Sequence, residues 1–219
     1  MQYGLCYLSV VALRSEASDT SELISQVLYG DYFKVLEHRK LWSRIRLGFD
    51  KYEGWIDNKQ FQFIDELEYK DLHKSDPLMS TDLVDFITNQ KQQLHPVLLG
   101  STLNGLSYLK HAFEGEKSVG TKEKSKLIDT AVLYLNTPYL WGGKTPFGID
   151  CSGLVQMVYK LNGFKILRDA SQQATQGDAL SFIEESEPGD LAFFDNNEGD
   201  IIHVGMIMED HHIIHAHGK

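Results

Sequence analysis

Cys151 is the residue of this sequence best suited to act as a nucleophile, because it follows a turn-rich loop and starts an apolar, helix-compatible segment. Asp150 is placed to cap that helix. Apolar residues recur after it at helical spacing, at Leu154, Val155, Val158, Tyr159 and Leu161. The positive partial charge of a helix N-terminus would favour a thiolate at Cys151. The alternative is a small buried cysteine without chemistry, which is the commoner situation for this residue type.

The loop before Cys151 favours the catalytic interpretation. Glycine and proline occupy several of its positions, at Gly142, Gly143, Pro146 and Gly148. These residues predict tight turns and no regular structure between Tyr139 and Asp150. A loop of this composition that ends on a cysteine at a helix start is typical of a site that positions a reactive thiol.

A cysteine hydrolase also needs a base that accepts the thiol proton and a group that orients this base. His203 lies within the apolar strand pattern Ile201–Met208, so it is expected to be partly buried. His215 lies on the next predicted strand, within hydrogen-bonding reach if the two strands pair as a hairpin around Asp210. Each histidine alone would more often be an ordinary core or surface residue. Together, after a cysteine at a helix start, they predict a base and its partner.

Two other classes of function fit parts of the sequence. A zinc hydrolase would draw on the dense histidine set His203, His211, His212, His215 and His217. Such a site would leave Cys151 without a role, so we expect no metal and no cofactor. A non-catalytic binding protein would have no need to combine Cys151, His203 and His215. Activity lost with a chelator would favour zinc, and activity lost with a thiol-alkylating reagent would favour the cysteine.

Composition and charge exclude several kinds of partner. The chain of 219 residues has a formal net charge of -10, which argues against nucleic acid or an anionic membrane as the main partner. No apolar run approaches the length of a membrane span, and no segment near the N-terminus has the pattern of a signal peptide. Cys6 and Cys151 lie far apart and form no disulfide framework. We therefore expect a cytoplasmic protein that is a monomer.

The chain divides into three predicted parts. Residues 1–62 contain short runs of alternating apolar and polar residues separated by turns, which predict a small β-barrel. Residues 63–120 have a weaker signal, with candidate strands at Leu83–Ile87 and Pro96–Gly100, and are expected to hold a second, degenerate barrel and a linker. Residues 121–219 start with a predicted helix over 124–136 and end in a meander of antiparallel strands. The fold class of this last part is therefore α+β.

Motifs in both end parts resemble known families. The stretches Leu13-Arg-Ser-Glu-Ala-Ser and Tyr52-Glu-Gly-Trp-Ile are similar to the start and end of a bacterial SH3-like domain, in which the Gly-Trp pair closes the barrel. This resemblance implies that Trp55 is a core residue. The C-terminal part resembles the NlpC/P60 family of cell-wall cysteine peptidases. The motifs that carry this resemblance, in the family's order, are Trp141-Gly-Gly, Asp150-Cys-Ser-Gly-Leu, Pro188-Gly-Asp-Leu-Ala-Phe-Phe, His203-Val-Gly and Ile213-Ile-His-Ala.

The resemblance implies a papain-like NlpC/P60 catalytic domain preceded by one or two SH3-like barrels. It implies Cys151 as the nucleophile, His203 as the base and His215 as the third polar residue. The expected substrates are peptidoglycan peptides, cleaved next to D-Glu. Members of the family normally continue with further strands after the third polar residue. This chain ends at Lys219, four residues after His215, so a truncated C-terminus that weakens the site is expected.

A finer resemblance is to the members with N-terminal SH3-like domains. These hydrolyse the γ-D-glutamyl to diamino-acid bond of muropeptides that have a free N-terminal L-Ala, and they act in recycling. The stretch Arg168-Asp-Ala-Ser-Gln-Gln is similar to the motif whose Asp binds the substrate ammonium, which assigns that role to Asp169, with Ser152 assisting and Trp141 at the site. A helix-capping role for Asp169 fits the spacing equally well. A tyrosine of the first barrel completes this pocket in the subgroup, and Tyr52 is the candidate. Lys and meso-diaminopimelate both stay open as the diamino acid.

Overall fold

The computed structural model describes residues 1–209 and 212–218. The chain divides into two compact units, residues 1–120 and residues 121–219. The turn predicted around Asp210 and His211 lies outside the described residues. Within the part of the chain that is described, no helix has the length and apolar character needed to cross a membrane.

The first unit begins with a seven-stranded sheet in which all neighbouring strands are antiparallel. Its strands are β1 (Gln2–Cys6), β2 (Val10–Arg14), β3 (Leu23–Leu28), β4 (Tyr32–His38), β5 (Trp42–Leu47), β6 (Glu53–Asp57) and β7 (Phe61–Ile64), with a short 3-10 helix at Asn58–Gln60. The order across the sheet is β3-β2-β6-β5-β4-β1-β7. The chain bends at Leu8 and Ser9, which separates β1 from β2.

Alternation along the strands explains where this sheet places its core. On β5, Ile45 and Leu47 are buried while Arg44 and Arg46 are exposed, as expected for a strand with one face in the core. Trp55 on β6 is buried, which confirms its predicted place in the core of an SH3-like domain.

The rest of the first unit packs on the same sheet. Its elements are α1 (Glu66–Lys74), β8 (Met79–Ser80), β9 (Val84–Thr88), β10 (Leu94–Leu98), α2 (Leu106–Leu109), β11 (Ala112–Phe113) and β12 (Lys117–Ser118). The two candidate strands of this segment are present, displaced by one or two residues, as β9 and β10. Ile87 and Val97 from these strands share one apolar cluster with Tyr3 and Leu5 of β1. The assignment of residues 63–120 to a second SH3-like domain stays a prediction.

The second unit has the predicted α+β composition. Its elements are α3 (Lys126–Val132), β13 (Lys144–Thr145), β14 (Gly148–Ile149), α4 (Cys151–Leu161), α5 (Ala170–Gln173), a 3-10 helix at Ile183–Glu185, β15 (Leu191–Asp195), β16 (Ile201–Ile207) and β17 (Ile213–Ile214). Strands β15, β16 and β17 form an antiparallel sheet with β16 in the middle. Helices α4 and α5 both pack against β16. Helix α4, which begins at Cys151, therefore lies against the central strand β16.

Two predictions for this unit are wrong in detail. The helix predicted over 124–136 covers only Lys126–Val132, because the following residues form tighter i→i+3 hydrogen bonds and Asn136 adopts a left-handed φ of 64°. The glycine-rich loop was expected to lack regular structure, yet β13 and β14 pair within it as a short antiparallel hairpin. The pairing spans Lys144 to Ile149, so the turn residues sit at Pro146 and Phe147.

Candidate active site

Cys151 is the first residue of α4, and Asp150 caps the helix as predicted. Oδ1 of Asp150 accepts a hydrogen bond from the Gly153 backbone N–H at 2.6 Å, and Oδ2 accepts one from the Gly142 N–H at 2.8 Å. A side chain at Gly153 would collide with the carbonyl oxygen of Gly143, so glycine is required for the loop to lie against the helix. One carboxylate therefore fixes both the helix start and the loop that precedes the thiol.

A buried ion pair holds this carboxylate in place. Nη1 and Nη2 of Arg168 donate to Oδ1 and Oδ2 of Asp150 at 3.0 and 2.7 Å, which is a bidentate pair. The two side chains are only 1% and 9% exposed. Nη1 of Arg168 also donates to Oγ of Ser152 at 2.9 Å. The sequence pointed to Asp169 and missed its neighbour Arg168, because no local pattern links Arg168 to Asp150, 18 positions away.

Burial dominates the acidity of the thiol. Desolvation raises the pKa of Cys151 above its ordinary value, and the negative charge of Asp150 acts in the same direction. Backbone hydrogen bonds from Val204 and Ser152 and the charge of Arg168 oppose this rise without cancelling it. The expectation that the helix start favours a thiolate is therefore wrong for the resting site, because desolvation outweighs the favourable contacts.

The backbone contact with Val204 also locates the thiol. Val204 follows His203 on β16, so the sulfur lies against the strand that carries the predicted base. Cys151, Val155 and Val204 belong to one buried apolar cluster, which seals this side of the site. The phenol of Tyr139 is affected as well, since burial and then the charges of Cys151 and Asp150 raise its pKa.

His203 and His215 are joined directly by a hydrogen bond of 2.9 Å between His203 Nε2 and His215 Nδ1. The antiparallel pairing of Met206 with Ile214 sets this distance, as the predicted hairpin required. His215 lies just after β17, not on a longer strand as expected. The bond uses Nε2 of His203, so Nδ1 is the ring nitrogen left for proton exchange with the thiol.

Gly205 explains why the two histidines come so close. A side chain at Gly205 would collide with the side chain of Ile213 and would approach Cβ of His215 to 3.2 Å. The glycine of the His203-Val-Gly motif therefore makes room for the segment that carries His215. The sequence alone gave no reason for glycine at this position.

Aromatic neighbours and burial shape the properties of His203. The ring of Phe194, its cross-strand neighbour on β15, lies 5.6 Å from the imidazole between ring centroids. Desolvation lowers the pKa of His203 below its ordinary value, and the nearby imidazoles of His215 and His217 add to this effect. A lowered pKa keeps the ring neutral near pH 7, which is the form that accepts a proton.

The residues assigned to substrate binding in the second unit are placed as follows. Ser152 is buried, and its hydroxyl donates to Asp150 at 3.3 Å while accepting from Arg168, so it contributes to the network under the loop. Asp169 is half-buried and caps α5, forming a capping box with Gln172. Trp141 is 60% exposed in the glycine loop. The helix-capping alternative for Asp169 is thus realised, and the substrate-binding roles of all three residues stay predictions.

Tyr52 belongs to the first unit, in the turn between β5 and β6. Its backbone N–H donates to Oδ1 of Asp50 at 2.9 Å, and its half-buried ring packs against the apolar core of the barrel. Its proposed role in the substrate pocket stays a prediction.

A zinc site at the same histidines would need further ligands beside them. Among residues 1–209 and 212–218, no group of three or more His, Cys, Asp or Glu side chains has an arrangement that could hold a metal ion. His211 lies outside this range.

Comparison with known families agrees with this geometry. Residues 136–219 match the NlpC/P60 family, and residues 13–61 match the bacterial dipeptidyl-peptidase SH3 domain. The first match contains the complete set of Cys151, His203 and His215. The second covers β3 to β6 and reaches into both flanking strands.

Several known proteins are similar to this chain over most of its length. A gamma-D-glutamyl-L-lysine dipeptidyl-peptidase of Bacillus cereus is 28% identical over 85% of this chain, which spans 62% of that relative's length. Dipeptidyl-peptidase 6 of Lysinibacillus sphaericus is 27% identical over 93% of this chain and 83% of its own. A crystal structure of an NlpC/P60 family protein from Bacillus cereus aligns with 97% of this chain and 90% of its own chain, with a TM-score of 0.80. At 21% sequence identity, this similarity shows the fold. Residues 136–219 therefore form an NlpC/P60 domain, and a bacterial dipeptidyl-peptidase SH3 domain at residues 13–61 lies ahead of it in the chain.

Proposed function

We propose that this protein is a cysteine peptidase that hydrolyses the bond between γ-D-glutamate and a diamino acid in peptidoglycan-derived peptides with a free N-terminal L-Ala. The observation that carries the catalytic part is the hydrogen bond between His203 and His215, with His203 on the strand that contacts the Cys151 sulfur. The substrate class rests on the two relatives named as dipeptidyl-peptidases, one of them a gamma-D-glutamyl-L-lysine enzyme.

The chemistry follows from the state of the two groups. Cys151 rests as a thiol and His203 as a neutral imidazole, so His203 takes the thiol proton as the sulfur attacks the γ-carbonyl carbon. The imidazolium then gives this proton to the leaving amine of the diamino acid, and the C–N bond breaks to leave a thioester. Water, deprotonated by His203, hydrolyses the thioester and returns the thiol. His215 keeps the ring of His203 oriented through Nε2 during both steps.

Asp169 is the group proposed to bind the free ammonium of L-Ala. A position at the start of α5 is compatible with ammonium binding, because a carboxylate has about four acceptor sites. The preceding residue, Arg168, is anchored to Asp150, so the backbone at Asp169 is fixed relative to the start of α4. Because Asp169 is half-buried, its charge-assisted bond is worth about 1.5–3 kcal/mol, roughly 10- to 160-fold in kcat/KM.

The test compares L-Ala-γ-D-Glu-L-Lys, its meso-diaminopimelate analogue and both N-acetylated forms, with products identified by mass spectrometry. We expect cleavage after γ-D-Glu and a strong preference for the free amine. Asp169→Asn should slow the free-amine peptides and reduce this preference, whereas Asp178→Asn, an exposed aspartate of the same unit, should change neither. Equal rates on free and acetylated peptides would overturn the free-amine specificity and leave the peptidase proposal standing.

A broader wall-hydrolase function is the second candidate. Its support is the similarity of the NlpC/P60 domain to a probable endopeptidase p60 of Listeria welshimeri, 36% identical over 41% of this chain. A recycling enzyme in the cytoplasm would digest small peptides and leave intact sacculi untouched. Release of peptides from purified sacculi at rates similar to those on the tripeptide would favour the broader function.

A further inference from the structure

A third imidazole lies at the paired histidines. His217 is two residues beyond His215, and its ring centroid lies 5.5 Å from that of His203 and 5.9 Å from that of His215. The ring planes of His203 and His217 are inclined at 74°, so the two rings meet edge to face. His217 is exposed, so solvent reaches the three-ring cluster from its side.

We propose that His217 is a positioning residue of the catalytic pair, packing edge to face on His203 and placing a third imidazole beside it. The proposal rests on the proposed function for the role of His203 as the catalytic base, whereas the contacts among the three imidazole rings do not depend on that function. His203 is bounded by Phe194 on β15, by His215 through the 2.9 Å hydrogen bond, and by His217. Rotation of the His203 ring would therefore disturb contacts on three sides.

A charge at position 217 determines in which direction the pKa of His203 moves. The titratable and charged groups on the elements packed against β16 are Asp195 on β15, Cys151, Tyr159 and Lys160 on α4, Asp169 before α5, and His215 and His217 after β17. Burial is the first cause that lowers the pKa of His203, followed by His215 and then His217. A positive charge at position 217 repels a proton on His203, so such a charge keeps the base neutral at a more acidic pH.

Two substitutions separate the charge of His217 from its shape. His217→Phe keeps a flat ring and removes the charge, so the protonation midpoint of His203 should move to higher pH. His217→Lys provides a permanent cation, so the same midpoint should move to lower pH. His212→Phe is the matched control: it removes an exposed histidine before β17 whose ring does not contact His203 among the described residues, and it should leave the midpoint unchanged.

The measurement is a pH titration of the imidazole nitrogens of the full chain by NMR, with His203 assigned from His203→Gln, run beside the pH profile of kcat/KM on L-Ala-γ-D-Glu-L-Lys. We expect the NMR midpoint and the acidic limb of the profile to move together, upward for His217→Phe and downward for His217→Lys. An unchanged NMR midpoint in both variants, or movement in the same direction, would overturn the proposal. If no peptide is cleaved, the proposed function fails, while opposite NMR shifts in the two variants still support the inference.

Discussion

Replacing Arg168 by methionine should destabilise the second unit and disrupt the site at Cys151. The bidentate pair between Arg168 and Asp150 is almost completely buried, with side-chain exposures of 1% and 9%. Methionine fills a similar volume but leaves the Asp150 carboxylate buried beside neutral donors only, the N–H groups of Gly142 and Gly153 and the hydroxyl of Ser152. The loss of stability thus comes more from a buried carboxylate without a charged partner than from lost packing.

The size of the effect follows from this burial. Breaking a buried ion pair from one side costs about 3–5 kcal/mol. Three remaining neutral donors place the expected cost at the lower end, about 3 kcal/mol. For a unit of this size, each kcal/mol corresponds to roughly 4–8 °C in Tm, which gives a decrease of roughly 12–24 °C. Because Asp150 also fixes the loop before Cys151, kcat/KM should fall together with stability.

Differential scanning calorimetry of the full chain, followed by peptide kinetics well below the transition, measures both consequences. Lys124→Met is the matched control, since it removes an ion pair with Glu187 and Asp190 at an exposed site of the same unit, where such pairs contribute about 0–1 kcal/mol. The double variant Arg168→Met/Asp150→Asn removes the stranded charge and keeps the capping acceptor, so it should regain part of the lost stability. A decrease in Tm for Arg168→Met no larger than for Lys124→Met, or no recovery in the double variant, would refute the reasoning.

Three further predictions concern the reacting groups. Cys151→Ala should abolish turnover with the fold intact, and activity that survives in this variant would exclude the cysteine mechanism. Cys6→Ala should leave activity unchanged, because the Cys6 thiol is fully buried in the first unit and burial raises its pKa to about 12. His203→Ala should lower kcat by about 10²- to 10⁴-fold, and His215→Ala by less because it orients and does not transfer the proton; rates that fall more for His215→Ala would reverse these roles. Burial raises the pKa of Cys151 above 9.0, the ordinary value of the thiol, so alkylation of Cys151 by iodoacetamide should be slow at pH 7 and accelerate above pH 9.0. A fast alkylation rate with a plateau near pH 7 would indicate a resting thiolate.

The parts of the site that the sequence predicts are those set by short-range chemistry. Asp150 and Cys151 are adjacent, and a capping residue before an apolar helical pattern is visible without a structure. The His203–His215 contact needed only one tertiary assumption, a hairpin between neighbouring strands, and the pairing of β16 with β17 supplies it. The length of α3 was mispredicted because the apolar periodicity continues past the point where the backbone tightens and turns at Asn136.

The parts that could not be predicted depend on packing between distant segments. Arg168 and Asp150 are 18 positions apart and on different elements, and no local pattern links them. Gly205 is explained only by the side chain of Ile213 and the approach of His215 across the sheet. A sequence shows that a glycine or an arginine is present, but the group that it must meet is set by the tertiary structure.

The protonation states of Cys151 and His203 show why the difference between local features and tertiary packing matters for the mechanism. The sequence favoured a thiolate because the helix start is a local feature, whereas desolvation of Cys151 by Val155 and Val204 arises only when α4 packs on β16. The same burial lowers the pKa of His203, so both partners are driven toward their uncharged forms. Charge then develops only as the sulfur attacks, and a neutral His215 that accepts the Nε2–H of His203 through the 2.9 Å bond acts mainly in the transition state. An interaction that is stronger in the transition state than in the resting enzyme raises kcat, which is why His215→Ala is expected to lower kcat more than it raises KM.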